Sequence, residues 1–157
     1  MTPQLHNSNR VGAIATLGLV ALLSGCADDP GPAFDTSKPL ADGVYTSQSS
    51  LDEKGGKGVI TITVASGKIV DAEFHGINSD GSLKDESYGK DSSGQVTNER
   101  SYAKAQFAVA QFEMYALDLL KVGNPNDVDV IAGATWAHKQ FLEASIAALE
   151  QAQTKAS

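Results

Sequence analysis

Cysteine is almost missing from this chain: Cys26 is the one thiol in 157 residues. An internal disulfide framework is thereby excluded, as is any metal centre built on clustered thiolates. Histidine is nearly as scarce, with only His6, His75 and His138, and no grouping of Ser, His and acid along the sequence marks a hydrolytic triad. No candidate catalytic set and no metal site emerges. Basic side chains are few, 12 against 19 acids, for a formal net charge of −7. Affinity for nucleic acid comes mostly from Lys and Arg displacing counterions, so this balance argues against a nucleic-acid partner. Long apolar runs are also lacking. The longest, Val11 to Leu23, falls short of the ~20 residues that span a bilayer core as a helix.

That short run has a different meaning in its setting. Arg10 precedes it as the only charged side chain of the N-terminal stretch, and Leu23-Ser24-Gly25-Cys26 follows it. A charged start, a short apolar stretch and small residues before a cleavage point make a secretory signal, and the Cys at its end resembles a bacterial lipobox. The resemblance implies that residues 1–25 are a removable lipoprotein signal peptide and that Cys26 is acylated, anchoring the protein in a membrane on its extracytoplasmic side. Two or three acyl chains, at ~0.8 kcal/mol per buried CH₂, hold a protein durably on a bilayer. Residues 26–42 carry Pro30, Pro32 and Pro39 with little apolar periodicity, the composition of a flexible tether.

The remaining residues, 43–157, have the composition of one globular domain, in a chain that is 41% hydrophobic and 20% charged. Gly43 to Ser49 is a plausible first strand. Val59 to Val64 alternates Ile60, Ile62 and Val64 with Thr61 and Thr63, the period of a half-buried strand. Ser66-Gly67 is a tight turn, and Lys68 to Ile77 returns with Val70, Ala72 and Phe74 on one face against Asp71, Glu73 and His75 on the other. Residues 78–100 are polar and rich in Gly, Ser and Asp; a connection this long is usually functional or disordered. Tyr102, Ala105, Val109, Phe112, Ala116 and Leu119 then mark one stripe of an amphipathic helix stopped by Gly123 and Pro125. A short strand is expected at Val128–Ile131. A last helix is expected over roughly Trp136 to Gln153, with Phe141, Ile146 and Leu149 as core candidates. The order β-β-β-α-β-α implies an α+β fold, a small antiparallel sheet with two helices packed on one face. His75 and His138 are expected at the surface.

The chemically suggestive stretch is Asp129-Val130-Ile131-Ala132-Gly133-Ala134-Thr135, between the expected strand and the last helix. Its small residues permit a bulky group to approach the backbone. A hydroxyl at a helix start lies near free N–H groups and partial positive charge, where a phosphate is favoured. On the residues alone, a plain helix N-cap, worth ~1 kcal/mol, is the favoured reading of Thr135.

Asp129 to Thr135 resembles the flavinylation motif of the FMN-binding domain family. That family includes the C subunit of the sodium-pumping NADH:quinone reductase and surface lipoproteins of flavin-based extracellular electron transfer. The opening Asp42-Gly43-Val44-Tyr45-Thr46, the Ile60–Phe74 hairpin, and Lys84, Asp85 and Tyr88 extend the likeness over roughly residues 42–150. The resemblance implies FMN joined by a phosphoester to Thr135 through a flavin transferase, with Asp129, Ala132, Gly133 and Ala134 as its surroundings. Ala132 stands where the family usually has Ser or Thr. Trp136-Ala137-His138 replaces a stretch that is often smaller, and Trp136 either stacks on the flavin or covers the helix start. An electron carrier is implied rather than a stand-alone enzyme, with a membrane quinone or NADH dehydrogenase system as donor. A non-redox lipoprotein module sharing the fold, or a reversible FMN binder, are the alternatives.

Overall fold

The computed structural model describes residues 33–157; the expected signal peptide and Cys26 lie outside the described residues. Three strands, β1 (Gly43–Gln48), β2 (Lys57–Ala65) and β3 (Lys68–Ile77), form an antiparallel sheet in that spatial order. Two long helices, α1 (Glu99–Val122) and α2 (Thr135–Ala156), follow, with a short 3₁₀ turn, Pro125–Asp127, between them. The α+β architecture expected from the sequence is the one observed.

The sheet is two-sided by sequence. Tyr45, Ile60, Ile62, Val64, Ala72 and Phe74 are buried on one face, while Val44, Asp71, Glu73 and His75 on the other are exposed. Register explains one departure from strict alternation. Thr63 pairs with Asp71 but Val64 pairs with Ile69, so Val70 is an extra residue at a bulge. A bulge shifts every side chain beyond it by one place. Ile69, not Val70, therefore packs against the core, and Val70 is 53% exposed, correcting the expectation that it shares a face with Ala72 and Phe74.

Both helices cover the buried face, α1 over β3 and α2 over β1 and β2. α2 comes close because Ala144, Ala148 and Ala152, one per turn along a single stripe, are wholly buried. Gly58 assists: a Cβ there would lie 2.6 Å from the Phe74 ring and 3.1 Å from Gln140 Cβ. Between the layers Phe74 meets Phe112 and Phe141 edge-on at 5.2 and 5.6 Å, and Tyr115 stacks on Phe141 at 5.3 Å. Asn98 caps α1 through its side chain, and Gly123 ends it in a left-handed conformation, where the sequence placed the stop.

The segment read as a tether and the long connection read as functional or disordered are both tied down. Residues 34–42, placed in the tether by composition, dock on the domain. Phe34 and Leu40 pack against the core, the Ala41 N–H donates to Ala152 O at 3.1 Å, and Gln153 Nε2 donates to Asp35 O at 2.6 Å. The long connection 78–98 is held by a repeated device, Asp-x-Ser. In Asp80/Ser82, Asp85/Ser87 and Asp91/Ser93 one carboxylate oxygen accepts from both the serine N–H and its hydroxyl. Lys84 joins this loop to the β1–β2 connection, 3.8 Å from Asp52 and over the Tyr88 ring.

The serine hydroxyls and N–H groups hold the carboxyls of Asp80, Asp85 and Asp91 below their ordinary value of 3.8. Because the folded values are lowered, this contribution to loop order is complete above the ordinary aspartate range and disappears as pH falls through the lowered values. An NMR titration of the Ser82, Ser87 and Ser93 amides is expected to show midpoints below that range. Midpoints at the ordinary value would contradict the device.

Candidate functional site

The motif residues form a short bend between the two helices, and no strand is present there. The expected strand at Val128–Ile131 is absent because its backbone groups bond elsewhere. The Val128 carbonyl oxygen is 2.9 Å from His138 Nε2, and the Ile131 N–H donates to Tyr115 Oη at 3.1 Å. Two side chains from the helices thus take the places that a neighbouring strand would have filled. Tyr115 Oη also donates to the Ala134 carbonyl at 3.3 Å. Burial pushes the Tyr115 hydroxyl above its ordinary pKa, outweighing the bond from Ile131, so the proton that Ala134 receives stays in place.

His138 is therefore not the surface residue that its position suggested. It is half-buried beside Tyr115, with ring centroids 5.4 Å apart. No sequence signal pointed to either clamp, because each reaches a residue that is distant along the chain. In Tyr115→Phe the Ile131 N–H and Ala134 C=O lose their shared partner. Leaving buried polar groups unmade costs ~1–3 kcal/mol, and urea unfolding is expected to report a loss in that range, together with faster amide exchange at Ile131.

Within the bend, Asp129, Ala132 and Gly133 are exposed and Ala134 is buried. Gly133 has φ +84°, a region that costs an L-residue strain, and among the described residues, its chain neighbours aside, the place of a Cβ there meets just the Phe107 ring, at 3.9 Å. The bend is thus open where the motif needs small residues. Thr135 does not cap α2. It is the first helical residue; Ala134 occupies the cap position, with no side-chain bond to the helix. The first turn of a 22-residue helix therefore has no side-chain cap, and Thr135, an exposed residue, opens it.

Beyond Thr135, one side of α2 borders a groove of about 250 Å³, lined by Trp136, Lys139, Gln140 and Glu143 and by the β1–β2 connection from Ser50 to Glu53. Glu143 fixes that connection, accepting from the Ser50 N–H at 2.9 Å and its hydroxyl at 2.6 Å. Trp136 is 59% exposed, with Lys139 Nζ 5.7 Å from its ring centroid. Gln140 is only 6% exposed, and among the described residues its Nε2 has no hydrogen-bond partner. A larger groove, about 370 Å³, lies between β3 and α1 and contains none of the motif residues. Among the described residues no helix is long and apolar enough to cross a membrane, and no three acids or histidines are placed to hold a metal ion.

No family model and no curated protein matches the chain. Solved structures do. The crystal structure of a Clostridium perfringens protein, a structural-genomics target, is 26% identical, covers 74% of this chain and 91% of its own, and superposes with a TM-score of 0.58. A solution NMR structure from Clostridium thermocellum is 23% identical over 74% of this chain and 92% of its own, with a TM-score of 0.35. The chain is thus similar in fold to the Clostridium perfringens protein along most of its described length.

Proposed function

We propose that this protein is an extracytoplasmic flavoprotein electron carrier, anchored in a membrane through acylated Cys26 and carrying FMN as a phosphoester on Thr135. The observation that carries the reading is an exposed threonine hydroxyl on the uncapped first turn of a long helix, after a bend of small residues held rigid from both helices. The residues present fit such a group. The N–H groups of the first turn favour a phosphate, needing no lysine or arginine, and Gly133 leaves room beside it. The neighbouring groove offers Trp136 as a face for an aromatic ring, Lys139 as a nearby cation, and the Gln140 amide as a donor without a partner.

When bound, FMN supplies one- and two-electron chemistry that the side chains of this protein do not. The protein's part is to hold the acceptor hydroxyl exposed and the bend before it fixed. A flavin transferase needs such an acceptor within reach, and Thr135 offers one with no hydrogen bond to break. Asp129 is exposed at the start of the bend, where a transferase can read it. A covalent link suits an exported carrier, since an FMN that dissociates there is lost to dilution. A membrane quinone or NADH dehydrogenase system is the proposed donor.

Full-length protein produced with a flavin transferase tests this. The expected product is yellow and stays yellow through denaturation and acid precipitation. Colour that leaves with the supernatant means reversible binding, and colourless protein means a module without flavin.

A further inference from the structure

We infer that the groove beside Trp136 is a ready-made seat for a flat heteroaromatic ring edged with hydrogen-bond acceptors, and that it holds a flavin ring with or without the ester at Thr135. The choice of flavin rests on the proposed function; the seat rests on the groove itself. Trp136, Lys139, Gln140 and Glu143 fall at i, i+3, i+4 and i+7, so one face of α2 forms one wall. The other wall is the β1–β2 connection, fixed by the bonds from Ser50 to Glu143. At about 250 Å³ the groove falls just short of the ~300–1,000 Å³ of sites that enclose whole small molecules. That size suits a ring system without its side chain.

Gln140 is what marks the groove as a binding site. Its Nε2 is buried and, among the described residues, has no hydrogen-bond partner. A buried donor left unmade costs stability, so each one in a native fold calls for a use. The stem is held in place, with Cβ 3.1 Å from where a Cβ on Gly58 would lie, while the terminal amide torsion is soft. The amide is thereby free to turn its N–H groups to an acceptor on a ligand in the groove that Gln140 lines. Gln111 Nε2 is orphaned too, but Gln111 lines neither this groove nor the one between β3 and α1. The charges favour a neutral ring. Asp52 is matched by Lys84 and Glu143 by its bonds from Ser50, which leaves Glu53 and Lys139 to offset each other. Trp136 offers an exposed indole for stacking.

Riboflavin, which has the ring but no phosphate, tests the seat on full-length Thr135→Ala protein. Trp136 is the chain's single tryptophan, so its fluorescence reports the groove directly. Saturable quenching is expected. Gln140→Met keeps an unbranched side chain without the donor. It is expected to bind riboflavin ~10-fold more weakly, the worth of one hydrogen bond, and to unfold at higher urea. Gln111→Met is expected to raise the urea midpoint and leave binding unchanged. Trp136→Leu, at an exposed position, is expected to weaken binding as read by riboflavin's own fluorescence. Absence of saturable quenching overturns the proposal, as does riboflavin bound as tightly by Gln140→Met, or a short-chain quinone bound in its place. Riboflavin binding stands or falls apart from the ester, since neither a phosphate nor the Thr135 hydroxyl takes part.

Discussion

Replacing Thr135 with alanine is expected to abolish covalent flavin completely and leave the fold as stable as before. Both halves follow from where the hydroxyl sits. It is exposed, on the first helical residue, and makes no capping bond. Removing it therefore leaves no buried group unpaired, and alanine is the better helix former by a few tenths of a kcal/mol. Had Thr135 been an N-cap, the same change would cost ~1 kcal/mol. Chemical unfolding separates the two: a midpoint unchanged or slightly raised fits the observed geometry, and a clear loss does not. Thr135→Ser keeps an alcohol at the same place and is expected to retain the flavin. Absorbance after denaturing precipitation reports the attachment in each variant.

The largest stability effect is expected at Phe141. Its ring is wholly buried, stacked on Tyr115 and edge-on to Phe74, so it joins both helices to the sheet. Truncating a buried Phe to Ala removes its transfer energy and leaves a cavity, together costing ~3–5 kcal/mol, a large part of the ~5–15 kcal/mol that holds a typical domain. The consequence reaches the candidate site. Tyr115 would lose the surface that it stacks on, while Tyr115 is what secures Ile131 and Ala134. Phe141→Ala is thus expected to lower the urea midpoint strongly and also to speed amide exchange in residues 128–134. Destabilisation with that bend still protected would show that Tyr115 holds it without support from the ring beneath.

The sheet and both helices were legible in the sequence because their signals are local. Ile60, Ile62 and Val64 alternate, and the stripe from Tyr102 to Leu119 recurs once per turn. Features that depend on residues meeting from distant parts of the chain were not. The bulge that turns Val70 outward is a property of pairing with Thr63 and Val64. The β-branched residues at 128–131 have strand propensity, yet Tyr115 and His138 claim their backbone groups. Residues 34–42 read as tether because they continue a stretch that carries Pro30, Pro32 and Pro39 with little apolar periodicity, though Phe34 and Leu40 had a core to join. At the site, the small residues and the hydroxyl were readable from the motif. The clamp from Tyr115 and His138 was not, nor was the groove beside Trp136, since both are made by tertiary packing.

Intact-mass analysis of native protein isolated from its own membrane, followed by fragmentation, tests the central claim most directly. The account predicts a chain beginning at acylated Cys26, heavier by FMN less one water, with that increment on the peptide containing Thr135. An unsubstituted Thr135 in a protein that holds no yellow chromophore would contradict it.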